Sequence, residues 1–245
     1  MRMLMVSGEF VWFLLRSFSA GAEWRRMLPR LSEQIYHHGV RATPIVVFAS
    51  IFVGLTTAVQ TGYQLLGMVP NYFVGMGVGR MLLIELGPVF AAFIVASRSA
   101  SAMAAELGSM QISEQIDALR TMAIDPYHYL CLPRILATTC SLPILVALME
   151  VVASFTALVA AAALGISPET FLYGVTHFVN AHDFVGGLLK ASLFGLLIGT
   201  SGCFFGFRVR GGAQGLGRTT TSAVVTAAVL ILISDFVMAA LLFSR

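Results

Sequence analysis

Apolar residues run along this chain in long, nearly unbroken stretches. A membrane-spanning helix needs about 20 mostly apolar residues. Five stretches meet that length, roughly 44–64, 81–105, 135–164, 185–207 and 223–243. Pro44 stands at the start of the first, where a first-turn proline costs no helical hydrogen bond. Pro143 falls inside the third and predicts a kink there. The Gly-rich stretch 67–79 reads as a link between the first two spans, able to dip back into the membrane.

Ahead of the spans, Phe10, Phe13, Leu14 and Phe18 share one face of a helix, the pattern of a helix lying on a membrane surface. The same stretch imitates a secretory signal, with Arg2, an apolar run and then Ala20-Gly21-Ala22. Ser7 and Glu9 interrupt the run and Arg16 follows it closely, whereas the apolar core of a signal is unbroken. The expected architecture is an all-α membrane protein: an amphipathic, interfacial segment over 1–43, then a five-span domain over 44–245. A short cytoplasmic helix is expected between spans two and three.

Composition strengthens this reading. Of 245 residues, 58% are hydrophobic and 11% charged, against about one quarter charged in a soluble domain. A soluble fold of this length would need a core position for over half its residues. The net charge of +3 is too weak to suggest nucleic acid, and no basic run is interleaved with aromatics. The basic residues instead report topology. Arg2, Arg16, Arg25, Arg26, Arg30 and Arg41 precede span one, Arg120 and Arg134 follow span two, and Arg208, Arg210 and Arg218 follow span four. Those eleven fall on one side, against Arg80 and Arg245 on the other. Basic loops stay in the cytoplasm, so the expected N-terminus is cytoplasmic and the C-terminus is not. Cys131, Cys140 and Cys203 have no CxxC or metal-ligand spacing and read as buried apolar residues.

Gly212-Ala213-Gln214-Gly215-Leu216-Gly217-Arg218-Thr219 is one residue away from a phosphate-binding P-loop. A P-loop needs a preceding strand and a Lys that reaches the phosphates. Here a span precedes and Arg218 replaces the Lys, so a cytoplasmic turn is the better reading. No metalloprotease, serine-hydrolase or paired metal-ligand pattern occurs, and no catalytic residue, cofactor or metal is expected.

Charges inside the spans carry more information. Glu85, Arg98, Glu150, Lys190 and Asp235 all fall in or near hydrocarbon, where an unpaired charge costs a few kcal/mol or more. They form either a polar pathway or structural pairs, and long side chains such as Arg98 and Lys190 can reach an interface. Asp235 is too short to do so, and its candidate partners are Lys190 and Arg98. Between spans two and three, 113–120 reads as a short helix with Ser113 as its cap and Glu114 near the positive end of the helix dipole. Ile112, Ile116, Leu119 and Ala123 share one face. Such a helix can pack on its own bundle or dock into a partner's groove.

Several of these motifs together resemble a known family. Glu85-Leu86-Gly87-Pro88, Ala104-Ala105-Glu106-Leu107-Gly108, Glu114-Gln115-Ile116-Asp117-Ala118-Leu119 and Asp125-Pro126 are similar to the signature of the MlaE/YrbE permeases. These are the membrane subunits of lipid ABC transporters that work with MCE-domain proteins. Pro133-Arg134, Lys190, Asp235-Phe236, Glu33-Gln34-Ile35-Tyr36 and Gly39-Val40-Arg41 extend the similarity over about residues 25–245. The resemblance implies a homodimeric half-transporter in a bacterial inner membrane that hydrolyses no ATP itself. It implies a separate ABC ATPase on the cytoplasmic side, contacted through Glu106, Gly108, Ser113, Glu114, Ile116, Asp117, Leu119 and Arg120. It implies an MCE-domain protein on the far side and phospholipid as cargo, with Glu85, Arg98, Lys190 and Asp235 along the substrate pathway. Two departures stand out: Ile84 replaces an Arg common in relatives, which takes a charge partner from Glu85, and Ser97-Arg98-Ser99-Ala100-Ser101-Ala102 is less Gly-rich than usual. The rival readings are a secondary transporter or channel that uses Glu85 and Asp235 as ion sites, and a structural membrane anchor.

Overall fold

The structure is a computed structural model that describes residues 2–19, 24–65 and 67–243. The Ala20–Ala22 tripeptide of the signal-like stretch lies outside them. Among the described residues the chain is helical and has no strand. Its helices are α1 (Arg2–Ser19), α2 (Trp24–His38), α3 (Thr43–Leu65), α4 (Tyr72–Ile112), α5 (Gln115–Thr121), α6 (Tyr127–Ala163), α7 (Pro168–Phe178), α8 (Ala181–Gly206) and α9 (Gly212–Phe243). Five helical stretches are long and apolar enough to cross a membrane: Met27–Leu65, Tyr72–Ile112, Tyr127–Ala163, Ala181–Gly206 and Gly212–Leu242. They match the five runs read from the sequence, three of which extend one residue past the helical stretch, and α5 stands between the second and third, as expected.

The chain divides into two compact units built from interleaved segments. Unit 1 takes Met1–Ala42, Ala92–Leu142 and Ser192–Ser234, and unit 2 takes Thr43–Ala91, Pro143–Ala191 and Asp235–Arg245. The N-terminal segment falls within unit 1. In unit 1, Phe13, Met103, Leu107, Ile116, Ile135 and Phe204 form the centre of the core. Phe10 and Phe13 meet Phe204 edge-to-face, with ring centroids 5.3 and 5.7 Å apart. The buried stripe of α1 runs through Phe13 and Ser17, while Phe18, expected on that face, is 47% exposed. In unit 2, Val74, Val78, Leu82, Ala153, Ala157 and Phe171 form the core.

Several local expectations change. The Gly-rich 67–79 stretch is not simply a link, because α4 begins at Tyr72 and runs on through Arg80 as helix. Its glycines are there for close approach: a Cβ on Gly75 would strike the backbone carbonyl of Phe171, and one on Gly174 would strike that of Tyr72. The two helices α4 and α7 therefore pack backbone to backbone, as small residues allow in membranes. The helix α6 continues through Pro143, and Cys140, expected to be buried like Cys131 and Cys203, is exposed. Ser113 does not cap α5. Its hydroxyl bonds back to the Ser109 carbonyl at 2.9 Å, and Glu114 takes the cap position with φ 58° and no side-chain capping bond.

Candidate functional site

The segment Leu82–Leu86 of α4 is a wide π turn, in which Gly87 N–H donates to the Leu82 carbonyl five residues back. Such turns shift the backbone bonding pattern and recur at functional sites. Here the carbonyl of Ile84 accepts a hydrogen bond from Lys190 Nζ at 3.0 Å. A Cβ on Gly187, three residues before Lys190 on α8, would collide with the Leu83 carbonyl. That bare patch of α8 lets the helix come close enough to α4 for the ammonium to reach the freed carbonyl.

Lys190 is the centre of the site. Its Nζ lies 3.0 Å from Glu85 Oε1 and 2.9 Å from Asp235 Oδ1. The Lys190 side chain is 0% exposed, that of Asp235 17% and that of Glu85 42%. An ammonium has three donors and no acceptor, and three oxygen acceptors stand within reach. Burying a cation alone in hydrocarbon is costly, and two carboxylates plus a carbonyl offset that cost. The formal charge of Glu85, Lys190 and Asp235 together is −1. The expected alternatives for Asp235 thus resolve to Lys190. The side chain lost at Ile84 does not leave Glu85 without a cation, because Lys190 supplies one.

In the same unit, a cavity of about 470 Å³ opens between α3 and the start of α4. Phe52, Gln60 and Gln64 line it from α3, and Met81, Leu86 and Phe90 from α4. Its walls are mostly apolar with a few amide and hydroxyl groups, the usual make-up of a site for a large apolar ligand. Leu86 connects it directly to Glu85 along the chain.

Glu150 of α6 is the second intramembrane carboxylate of unit 2. It is 2% exposed, and neither carboxylate oxygen has a hydrogen-bond partner among the described residues. Its Cγ lies 3.0 Å from where a Cβ on Gly87 would sit, so the backbone of the π turn borders it closely.

Arg98 belongs to unit 1. It sits in a second wide turn of α4, Ala96–Ala100, and lines a separate cavity with His38 and Arg41. Of the residues expected to meet an ATPase, Glu106, Ser113, Glu114, Asp117 and Arg120 are exposed and Leu119 is half-buried. Glu106 is held by Arg134 at 3.2 Å, and Asp117 by Arg120 at 2.7 Å. Ile116 and Gly108 are the exceptions. Ile116 is fully buried in the core of unit 1, and Gly108 is pressed against Val209 and Leu216, so neither side of the backbone there offers surface to a partner. The apolar face of α5 is therefore anchored in its own bundle and its polar face is presented outward. Sequence reading missed the cavity of unit 2. The signal available was the spacing of Phe52, Thr56, Gln60 and Gln64, which puts polar groups every turn on one face of an otherwise apolar span.

Known proteins share this layout in sequence. The chain is 34% identical to a probable ABC transporter permease protein of Rickettsia felis, over 94% of this chain and 91% of that one. It is 34% identical to the chloroplastic protein TRIGALACTOSYLDIACYLGLYCEROL 1 of Arabidopsis thaliana, over 97% of this chain and 66% of that one. It is 30% identical to the intermembrane phospholipid transport system permease protein MlaE of Haemophilus influenzae, over 89% of this chain and 85% of that one. The description of the matching family is "Permease MlaE", and the match covers residues 31–241. The chain belongs to the MlaE permease family.

Proposed function

We propose that this chain is the membrane-embedded permease subunit of an ABC transporter that moves phospholipid. In this reading it acts as a homodimer with a separate ATPase on the cytoplasmic face of α5 and an MCE-domain protein on the opposite side of a bacterial inner membrane. The observation that carries the reading is the buried Lys190 between Glu85 and Asp235, in the same unit as an apolar cavity of about 470 Å³. Acyl chains suit such walls, and a charged group at their edge suits a headgroup or the movement that releases it. The Haemophilus relative's name supplies phospholipid as cargo, and the Rickettsia relative's name supplies the ABC class. The outward face of α9 supports a second copy: little of its apolar surface is buried within the chain, and Val225, Val229, Ile233 and Phe236 stand exposed along it.

In this reading the N-terminus, α5, the 207–211 turn and the start of α9 lie on the cytoplasmic side, which the basic-residue bias supports; the 212–219 segment, expected as a turn, is the first part of that helix. ATP binding by the partner would be transmitted through the polar face of α5 and would reshape the lipid cavity. The test is affinity purification of the tagged chain from its native host in mild detergent. Co-purification of an ATPase with a complete P-loop supports the reading. A chain that purifies without an ATPase, yet moves a solute down an ion gradient, fits a secondary transporter instead.

A further inference from the structure

We propose that the cavity bounded by His38, Arg41 and Arg98 in unit 1 is a phosphate-binding site, filled by the phosphate of a lipid headgroup or by free phosphate. The cavity measures about 140 Å³. His38, the last residue of α2, is 3% exposed and its Nε2 has no hydrogen-bond partner among the described residues. Arg98 Nη1 is buried and likewise has none. Buried polar atoms that remain unsatisfied are costly, and here two from separate helices line one cavity. The Ser99 hydroxyl donates to the His38 carbonyl at 3.4 Å and holds the end of α2 against α4.

The charge of the lining favours an anion. Arg41 and Arg98 contribute two guanidinium groups, and the carboxylate on the lining, Glu106, is engaged by Arg134 at 3.2 Å. With its proton on Nε2, His38 adds a neutral donor. Guanidinium groups match phosphate oxygens in geometry as well as charge. Arg41 is exposed and gives access from outside. Val40 and Ile45, on either side of it in sequence, are apolar and about half-exposed, as expected where a span meets the headgroup layer. The site is distinct from the Lys190 cluster, and the proposal does not depend on which cargo is transported.

The experiment titrates the full-length chain in a zwitterionic detergent with two probes, dihexanoyl phosphatidate and inorganic phosphate, and follows thermal stability. The variants are Arg98→Gln, the exposed Arg41→Gln, and Arg218→Gln as an equal loss of charge outside the cavity. A headgroup site gives saturable stabilisation by dihexanoyl phosphatidate and none by inorganic phosphate at the same concentration. A free-phosphate site gives stabilisation by both. In either case Arg41→Gln and Arg98→Gln weaken the response about tenfold or more, as loss of a charge-assisted hydrogen bond implies, and Arg218→Gln leaves it unchanged. No stabilisation by either probe, or equal weakening in all three variants, overturns the proposal and leaves a water-filled cavity on a generally basic face.

Discussion

Lys190 Nζ lies 2.9 Å from Asp235 Oδ1, although the two residues are 45 positions apart on different helices. The same nitrogen lies 3.0 Å from Glu85, 105 positions away. One buried ammonium therefore ties α4, α8 and α9 together within unit 2. Replacing it by an apolar group of similar length should leave two carboxylates facing each other without a cation. Lys190→Met is expected to destabilise the folded chain by about 3–5 kcal/mol. The double variant Lys190→Met/Asp235→Asn should recover part of that loss, because neighbouring charges are energetically coupled. Thermal unfolding in detergent checks both, and strictly additive losses would contradict the coupling.

Glu150 is expected to behave in the opposite way. Its carboxylate is buried without a hydrogen-bond partner among the described residues, and a buried polar group without partners costs about 1–3 kcal/mol. Glu150→Met keeps most of the volume and removes that cost, so the midpoint of thermal unfolding should rise. A fall would mean that the carboxylate gains a partner in the assembled transporter.

The two faces of α5 should separate folding from assembly. Ile116→Asp puts a charge into the core of unit 1 and should prevent accumulation of folded chain, since unpaired buried charge costs several kcal/mol. Arg120→Glu lies on the exposed face, where losing its pair with Asp117 should cost about 1 kcal/mol or less and leave insertion intact. In the proposed assembly it lowers recovery of the ATPase, which a pull-down from membranes measures. Full recovery with Arg120→Glu would move the contact away from this helix.

Much of this fold was legible from hydropathy, because each span needs its own run of apolar residues and hydrocarbon allows little else. The charges were legible as anomalies, but their pairing was not. Asp235 had Lys190 and Arg98 as possible partners, and sequence distance does not say which helices adjoin. The helices over 72–81 and 168–178 were not read as such. Gly75 and Gly174 look like loop residues in isolation, and only the contact between two backbones shows that each makes room for the other. The sequence offers Glu114 as a charge at a helix start, whereas it occupies the left-handed turn that starts α5. Side-chain identity carries little information about that backbone choice.

Topology is testable without function. Single cysteines at Ser113 and Ser167 should label from opposite sides of the membrane, with Ser113 accessible from the cytoplasm. Both positions are exposed at helix ends. Labelling of both from one side would break the five-span arrangement.

The central claim is that ATP-driven phospholipid movement depends on the charge balance around Lys190. The direct measurement is transfer of labelled phospholipid by the reconstituted permease–ATPase complex, with wild type and Asp235→Asn compared side by side. Asn can still accept from Lys190, which also keeps Glu85 and the Ile84 carbonyl, so the stability cost should be small, about 1 kcal/mol. The account predicts ATP-dependent transfer by wild type and loss of most transfer by Asp235→Asn, with assembly and ATPase content unchanged. Transfer by Asp235→Asn at the wild-type rate, or wild-type transfer that needs no ATP, would contradict it.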